Sequence, residues 1–294
     1  MTPARRTGIA PADRRRGDGP PALVLVATPI GNLDDLAPRA VAELGRADSV
    51  ACEDTRRTGK LFELAGIERC PFIVVNDHTE AGAVRDVLAR LERGERVAVV
   101  SDAGMPGVSD PGERLVRAVA AAGLPVEIVP GPSAALAALV VSAAPTGRFV
   151  FEGFLPRRGS GRRERLAELA GERRTIVLYE APHRLARTLE DLTGVIDGAR
   201  RVAVARELTK LHEETWRGTL KGALERALAA EPRGEHVIVI EGAPAPAEAD
   251  DDDIVTALGS ARERGLSTRD AVAAVAGELG VARRRVYRLA TGGD

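Results

Sequence analysis

From Ala22 onward, short β-branched runs alternate with helical stretches, and this alternation constrains the fold more than any other feature of the chain. Alternating β and α segments predict a parallel sheet with helices on both faces. The strands predicted in the first half span residues 23–28, 49–52, 72–75, 96–100 and 126–130. Helical patterns lie between them near residues 36–45, 55–65, 80–92 and 113–122, and an Ala- and Leu-rich helix follows Ser133.

A second set of strands follows a Pro- and Gly-containing break at residues 143–147. These strands span residues 149–152, 175–180, 202–207, 214–218 and 236–241. The last two lack a long helix on each side, so this sheet is predicted to be mixed. The fold class is therefore α/β, with two α/β domains at residues 21–145 and 146–243.

The two ends of the chain differ from these domains. Residues 1–20 are rich in Arg, Pro and Gly, and we expect a disordered tail. Residues 244–253 form an acidic linker, and 254–294 form a helical bundle with helices near 254–264, 268–279 and 281–290. Residues 280–287 resemble the turn and second helix of a helix-turn-helix, which favours RNA contact and a packing or dimerisation role equally.

The loop at residues 101–112 follows the fourth predicted strand and is unusually long for a βα connection. It contains three Gly, two Pro, two Asp and two Ser. Ligands of open α/β sheets bind beyond the carboxyl ends of the strands. Gly lets backbone amides approach a ligand, and Pro stiffens the loop. This loop is predicted to bind a ligand.

Other loops leave the same predicted edge. Residues 27–33 and 52–56 follow the first two strands, and 130–134 follow the fifth, where Ser133 opens a helix whose first amides lack partners. None has the Gly-x-Gly-x-x-Gly or Walker pattern, which disfavours nicotinamide and nucleoside-triphosphate enzymes. Convergence of these loops favours one binding site.

Charge and cysteine content narrow the class of partner. The net charge is −1, yet arginines cluster in two segments. The clusters comprise Arg157, Arg158, Arg162, Arg163, Arg165, Arg173 and Arg174, and Arg283, Arg284, Arg285 and Arg288. They indicate either solvated helix faces or a polyanionic partner such as RNA. Two cysteines, no bilayer-length apolar run and no signal peptide favour a cytoplasmic protein without a metal.

Eight ordered motifs resemble one family, the bacterial ribosomal RNA small-subunit methyltransferase I group of tetrapyrrole-methylase-like enzymes. They are Thr-Pro-Ile-Gly-Asn-Leu at 28–33, Glu-Asp-Thr-Arg at 53–56, Ser-Asp-Ala-Gly at 101–104, Ser-Asp-Pro-Gly at 109–112, Pro-Gly-Pro-Ser-Ala at 130–134, Phe-Glu-Gly-Phe-Leu-Pro at 151–156, Glu-Ala-Pro-His-Arg at 180–184 and Arg-Glu-Leu-Thr-Lys at 206–210. The resemblance covers about residues 22–290. Met105 departs from the group, which has Thr there.

The resemblance implies two tetrapyrrole-methylase-type domains, a homodimer, and S-adenosylmethionine bound in the cleft between the domains. It implies methyl transfer to the ribose 2′-hydroxyl of a cytidine, expected to be cytidine 1402, in 16S rRNA of the small ribosomal subunit. The cofactor-binding residues expected from it are Asp102, Ala103, Gly104, Ser133, Ala134, Leu155 and Ala205.

Transfer to a ribose hydroxyl needs a group that takes up or polarises its proton. Asp54 and Glu180 are candidate acceptors, with Lys210 or Arg56 as electrostatic support, and a neutral Lys210 is an alternative base. The predicted RNA contacts are Arg157, Arg158, Arg162, Arg163, Arg184, Arg284 and Arg285.

Two other functions remain open from the sequence. A methylase of the same superfamily acting on a tetrapyrrole would have a roomy apolar cleft, which the arginine clusters argue against. A non-catalytic RNA-binding or regulatory module would bind S-adenosylmethionine weakly or not at all.

Overall fold

The computed structural model describes residues 19–76, 79–244 and 249–291. Residues 1–18 of the predicted tail lie outside the described residues. Contacts divide the chain into a larger unit that ends at Ala243 and a smaller unit that starts at Pro244. Both predicted α/β domains fall within the larger unit.

The first sheet of the larger unit has five parallel strands in the order β3-β2-β4-β1-β5. These are β1 (Leu23–Val26), β2 (Ser49–Cys52), β3 (Phe72–Val74), β4 (Val97–Val99) and β5 (Val126–Val129). Because all five run in one direction, their carboxyl ends share one edge. The loops at 27–33, 52–56, 101–112 and 130–134 all leave from that edge, as the sequence predicts.

Helices cover both faces of this sheet. They are α1 (Pro38–Arg46), α2 (Thr55–Ala65), α3 (Glu80–Glu92) and α4 (Glu113–Ala121). Strand residues alternate between two cores, because Val24 packs with Leu44 and Phe62 whereas Leu23 packs with Leu91 and Leu115. The predicted α/β layering is confirmed.

The second sheet is mixed, which confirms the prediction, and its order is β6-β7-β10-β8-β9. Its strands are β6 (Phe149–Phe154), β7 (Thr175–Glu180), β8 (Arg201–Arg206), β9 (Glu214–Thr219) and β10 (His236–Ile240). β10 runs antiparallel to β7 and β8, and His236 pairs with Glu180 and Arg206. The start of β10 therefore lies beside the carboxyl ends of its neighbours.

Helices cover both faces of the second sheet as well. α6 (Ser160–Ala170), α7 (Leu185–Thr193) and α8 (Leu220–Ala229) share one core with one face. α5 (Ala134–Val141) covers the other face, because Ala138 and Leu139 are buried among second-sheet valines. The sequence boundary at residue 145 assigns α5 to the first domain, whereas apolar packing assigns it to the second sheet.

The smaller unit contains α9 (Asp251–Glu263), α10 (Thr268–Glu278) and α11 (Arg283–Thr291), close to the predicted helices. Ile254, Val275 and Val286 are buried in its core. Residues 245–248 of the predicted linker lie outside the described residues, and its acidic end begins a helix. Asp250 and Asp253 form a capping box there, since acidic side chains favour a helix N-terminus.

Candidate active-site cleft

The loops of the two sheets contact each other directly. The backbone amide of Asn32 donates to the hydroxyl of Thr209 over 3.1 Å. Gly31 permits this approach, because a Cβ at that position would lie 2.4 Å from Cγ of Lys210. The 27–33 loop is thereby fixed against the loop that follows β8.

Two further close approaches lie at the cleft. A Cβ on Gly153, whose φ is +59°, would lie 2.5 Å from Oγ of Ser109. The phenol oxygen of Tyr179 accepts a hydrogen bond of 3.1 Å from the amide of Ala135, in the first turn of α5. The 101–112 loop and α5 therefore both face the second sheet.

These loops enclose a cavity of about 450 Å³. One side is lined by Ile30, Arg57, Asp102, Ala103, Gly104, Met105, Val108, Ser109, Asp110, Ser133 and Ala134. The other side is lined by Phe154, Tyr179, Glu180, Ala181, Pro182, His183, Ala205, Glu207, Leu208, Lys210, Glu235, His236 and Val237. The volume suits a small-molecule ligand.

Of the seven residues expected to bind the cofactor, six line this cavity. Leu155 is the exception: it is buried in the core of the second sheet, and its carbonyl accepts from the guanidinium of Arg184 over 2.7 Å. The structure thus brings together the predicted residues of the 101–112 loop, the start of α5 and the end of β8.

Backbone pairing holds the 101–112 loop in place. Thr28 and Gly104 exchange two hydrogen bonds, of 2.8 and 3.1 Å. Gly104 has a φ of +81°, and a Cβ there would lie 3.2 Å from Ile30 and 3.4 Å from the carbonyl of Pro132. Glycine therefore fits this wall of the cleft better than any larger residue.

Asp102 is fixed at the edge of the cavity. Its carboxylate accepts from the amide of Asp54 over 3.2 Å and lies 3.4 Å from the guanidinium of Arg57. Burial raises the pKa of Asp102, and Arg57 acts against that rise. The side chain is oriented by partners on α2 and remains in contact with the cavity.

Asp110 was not singled out by the sequence. Burial raises its pKa to about 7, and the carboxylates of Glu53, Asp102 and Glu235 add to the shift. A carboxyl group that titrates near neutrality is unusual and is typical of functional sites. It belongs to the same loop as Gly104.

Lys210 is held as a cation. Its Nζ lies 2.9 Å from a carboxylate oxygen of Glu207 and 2.9 Å from one of Glu235. Burial acts to lower the pKa of Lys210, but the two carboxylates outweigh it and the pKa is raised. The alternative of a neutral Lys210 base is therefore not supported.

Glu180 lines the cavity but has structural partners on both oxygens. Its carboxylate accepts a hydrogen bond of 2.6 Å from the hydroxyl of Thr188 and one of 2.9 Å from the amide of Ala181. The guanidinium of Arg184 lies 3.2 Å from the same carboxylate. Its side chain is fully buried. Arg184 is held by Glu180 and by the carbonyl of Leu155, so its guanidinium is directed inward and not toward an RNA backbone.

Asp54 and Arg56 lie outside the main cavity. They line an adjoining groove that shares Asp102 with it. Asp54 caps α2, accepting 2.8 Å from the amide of Arg56, and this hydrogen bond is the main reason that its pKa is lowered. The Arg56 side chain is 92% exposed, so it is available to a large ligand rather than to the cavity.

The predicted RNA contacts fall into two groups. Arg162 is a correction: it is buried, and its guanidinium binds Asp191, Thr188 and the carbonyl of Pro156. Its position on the inner face of α6 makes it a packing residue. The exposed members are Arg157, Arg158, Arg163 and Arg284, whereas Arg285 is half-buried and paired with Asp251.

Sequence reasoning missed Glu235 and His236, which also line the cavity. Ligand sites of parallel sheets lie at the carboxyl ends of the strands, and the predicted site residues all come from such ends. An antiparallel strand brings its first residues to that same edge. The predicted mixed character of the second sheet was the signal that could have found them.

No group of three or more His, Cys, Asp or Glu side chains suited to a metal ion occurs in the part of the chain that the structure describes. None of the described helices combines the length and apolar character needed to cross a bilayer.

Comparison with known proteins agrees with this architecture. Residues 22–224 match the family Tetrapyrrole (Corrin/Porphyrin) Methylases. A Synechocystis protein named ribosomal RNA small subunit methyltransferase I is 46% identical over 272 residues, which are 91% of this chain and 96% of that protein. The similarity thus extends over nearly the full length of both chains.

Solved structures share the fold at low identity. A cobalt precorrin-4 methyltransferase of cobalamin biosynthesis has a TM-score of 0.59 at 20% identity, covering 78% of this chain and 98% of its own. A uroporphyrin-III C-methyltransferase from Thermus thermophilus, in complex with S-adenosyl homocysteine, has a TM-score of 0.53 at 17% identity, covering 75% and 96%. With this fold, these loops and the full-length relative, the chain belongs to the tetrapyrrole methylase family and, within it, to the ribosomal RNA small subunit methyltransferase I group.

Proposed function

We propose that this protein transfers a methyl group from S-adenosylmethionine to the ribose 2′-hydroxyl of a cytidine in small-subunit ribosomal RNA, with cytidine 1402 as the expected target. The observation that carries the proposal is the single cavity that loops of both sheets enclose, in a chain 46% identical to a named ribosomal RNA methyltransferase.

The residues of the cleft fit the cofactor. Apolar side chains such as Ile30 and Leu208 suit a purine, while Asp102 and the start of α5 at Ser133 suit polar and charged groups. Asp102, Ala103, Gly104, Ser133, Ala134 and Ala205 would hold it. When bound, S-adenosylmethionine supplies an electrophilic methyl group on a sulfonium sulfur.

The chain's own residues then orient and shield the reacting groups. Methyl transfer is an in-line displacement, so the attacking oxygen must be held in line with the donor in a site with little competing water. The half-exposed Phe154 and the buried Leu208 are apolar walls against water. Of the predicted catalytic residues, Lys210 is the cation placed in the cavity, where it stabilises negative charge that develops on the oxygen.

RNA contacts are assigned to exposed arginines. Arg157, Arg158 and Arg163 follow or lie on the segment that leaves β6, next to the cavity residue Phe154. Arg284 is exposed on α11 in the smaller unit. Phosphate contacts supply affinity that depends on salt, while selection of one cytidine requires a splayed-out nucleotide.

We extend the proposal to a homodimer. α5 exposes Leu136 and Val140, one turn apart and 51% and 71% accessible, and the edge strand β5 exposes Ile128. Exposed apolar groups of this size are typical of protein interfaces. Sedimentation equilibrium of the wild type and of Val140→Asp tests this part, with a dimer expected for the first and a monomer for the second; a monomeric wild type would contradict it.

The reaction is tested with small ribosomal particles from cells that lack the enzyme. We expect label from S-adenosylmethionine on the ribose of one cytidine, located by nuclease digestion and mass spectrometry. Label on a base or on another nucleoside would contradict the proposal. Label on a porphyrin precursor instead would favour the tetrapyrrole alternative, and failure to bind the cofactor in a calorimetric titration would favour the non-catalytic one.

A further inference from the structure

A row of side chains crosses the second sheet along the wall of the cavity. Its members are paired in turn across neighbouring strands, in the order Phe154 on β6, Tyr179 on β7, Val237 on β10 and Ala205 on β8. Residues directly opposite each other on adjacent strands lie on the same face of a sheet. All four line the cavity, so the Phe154 side chain lies on the face that forms the cavity wall.

The two ends of this row differ in exposure. Ala205 is 1% exposed and Val237 is 5% exposed, whereas Phe154 is 50% exposed. β6 is an edge strand three strands away from β8, a separation of about 14 Å at the usual strand spacing. The row thus leads from the interior of the cavity at Ala205 to its mouth at Phe154. A ligand group at the mouth is therefore distinct from one held at Ala205.

The ring of Phe154 packs on an aromatic neighbour that is itself held in place. Its centroid lies 5.6 Å from that of Tyr179, with an angle of 60° between the ring planes. Phe151 packs edge-on against the same tyrosine at 5.0 Å, and the amide of Ala135 donates to the phenol oxygen. Because Tyr179 is fixed by these contacts, Phe154 is supported from below while half of its surface stays accessible.

A second apolar residue is exposed at the mouth, on the side of the first sheet. Val108 is 38% exposed and lines the cavity. The residue after it, Ser109, lies against Gly153, the residue before Phe154. Among the described residues of the cavity wall, the large apolar side chains that are exposed are Val108 and Phe154. Exposed apolar groups beside a cavity are typical of a surface that a ligand covers.

The surroundings of Phe154 favour a nucleic-acid base as that ligand group. Arg157 and Arg158 follow shortly along the chain and are exposed. An aromatic side chain beside a basic segment is the combination with which proteins hold single-stranded nucleic acid. The purine of the cofactor is matched instead by Ile30 and Leu208, which are 8% exposed and lie deeper in the cavity.

We propose that Phe154 is the platform on which the base of the target cytidine stacks when its nucleotide enters the cleft. This inference rests on the proposed function, and it names the residue that receives the splayed-out base. Lys210 is bound by Glu235, which directly precedes β10, so the cation lies between the two ends of the row. A base on Phe154 therefore directs its ribose toward Lys210 and the cofactor beyond it.

The test compares Phe154→Leu and Phe154→Trp with Phe149→Leu in the full-length protein. Phe149 begins the same strand, is 37% exposed and does not line the cavity, so its variant is a matched control. Single-turnover methylation is measured at increasing concentrations of small ribosomal particles. The maximal rate divided by the half-saturating concentration should fall about tenfold in Phe154→Leu, because leucine keeps the apolar bulk but offers no π face. Phe154→Trp should retain the wild-type value, and Phe149→Leu should match it.

Calorimetric affinity for S-adenosylmethionine is measured for the same variants. It should stay within a few-fold of the wild type in all of them, which also shows that they fold. If Phe154→Leu keeps the wild-type value for methylation, the residue is only an apolar wall and the inference is overturned. If Phe154→Leu instead loses affinity for S-adenosylmethionine, the ring contacts the cofactor and the inference is again overturned.

A second readout uses the wild type and does not depend on a variant that folds. The chain has five phenylalanines, so ¹³C labelling of their rings gives few signals to follow. The protein, saturated with S-adenosyl homocysteine, is titrated with cytidine 5′-monophosphate and separately with ribose 5-phosphate. We expect the ring signals of Phe154 to shift with the first and not with the second. No shift with cytidine 5′-monophosphate would contradict stacking on Phe154.

The outcomes separate the two proposals. If the wild type methylates no cytidine ribose, the proposed function fails and the inference fails with it. If the wild type is active while Phe154→Leu methylates as well as Phe149→Leu, only the role of Phe154 is refuted.

Discussion

The two sides of the cleft are chemically different. The side built from the first sheet presents backbone and small residues, such as Ala103 and Gly104, and three ionisable residues, Arg57, Asp102 and Asp110. The side built from the second sheet presents more of them, such as Glu207, Lys210 and Glu235. We expect a division of labour, in which the first side shapes the cofactor site and the second side stabilises charge that develops during the reaction.

The division has a topological cause. Parallel strands end in loops that return the chain to a helix, and Gly-rich loops of this kind bring main chain close to a ligand. In the second sheet, antiparallel β10 enters at the edge where β7 and β8 end. Three strand termini then meet at one place, which concentrates side chains there.

Of the changes considered, Gly104→Val should have the largest effect, and that effect should be a weaker affinity for S-adenosylmethionine. The valine side chain would meet Ile30 and the carbonyl of Pro132, and the φ of +81° strains any L side chain. Relief of this clash displaces the loop backbone that faces the ligand, and we expect an affinity for S-adenosylmethionine about 100-fold weaker, measured by calorimetry.

The control for this change is Gly94→Val. Gly94 has a φ of +89°, but a Cβ there would meet nothing within 4 Å, so this variant carries the backbone strain without the clash. It should lose stability and keep its affinity. Equal affinity in the two variants would refute the shaping role of the first side.

Lys210→Met should act on rate rather than on binding. It removes the cation and leaves Glu207 and Glu235 without their shared partner. We expect the single-turnover rate to fall by about 10-fold to 100-fold, with cofactor affinity within a few-fold of the wild type. Lys60→Met, which breaks only an exposed pair with Glu63, should not change the rate. If Lys210→Met loses affinity for S-adenosylmethionine without losing rate, the proposed role of the second side in stabilising charge is contradicted.

The double variant Arg157→Gln/Arg158→Gln tests whether RNA binding also belongs to the second side. Both side chains are exposed at the end of β6. The logarithm of the RNA association constant falls linearly with the logarithm of the salt concentration. Loss of two phosphate contacts should make that slope less steep by about 2 and weaken binding to small ribosomal particles about tenfold near physiological salt. The pair Arg85→Gln/Arg117→Gln on α3 and α4 should leave the slope unchanged. An unchanged slope in the first variant would remove this segment from the RNA interface.

Asp110→Asn tests a carboxyl of the first side whose pKa lies near neutrality, and its effect should be the smallest of the four. The pKa of Asp110 is about 7 in the folded protein against 3.8 ordinarily, so the folded state holds the proton more tightly. Stability from this group is therefore full below about pH 4 and is lost as pH rises to about 7. Between about pH 4 and about pH 7, the melting temperature of Asp110→Asn should therefore rise by a few degrees relative to that of the wild type.

A matched carboxylate completes that experiment. Asp35→Asn alters an exposed residue outside the cavity and should show no such trend. If the difference in melting temperature between Asp110→Asn and the wild type does not change with pH, the pKa of Asp110 is not raised in the folded protein.

Much of the fold follows from the sequence. All ten strands and the first four helices appear within a few residues of their predicted positions, because β-branched runs and helical periodicity are local signals. The sheet against which α5 packs was not predictable in this way. Its apolar face could pack on either sheet, and only tertiary contact with residues such as Val239 decides between them.

The site was predictable where it depends on loops after parallel strands. Asp102, Gly104, Ser133 and Ala205 were expected and line the cavity. His236 was not expected, because strand direction in a mixed sheet depends on long-range pairing. Burial of Arg162 was also not predictable, because the spacing of arginines on the short helix α6 does not show which of them pairs with Asp191, a residue distant in sequence.

The most direct test of the account is a crystal structure of the protein with S-adenosyl homocysteine. The account predicts that the ligand contacts the backbone at residues 102–104 and also touches Ala205, so that both sheets hold it in one cavity. A ligand bound against one sheet alone, or away from the 101–112 loop, would contradict it.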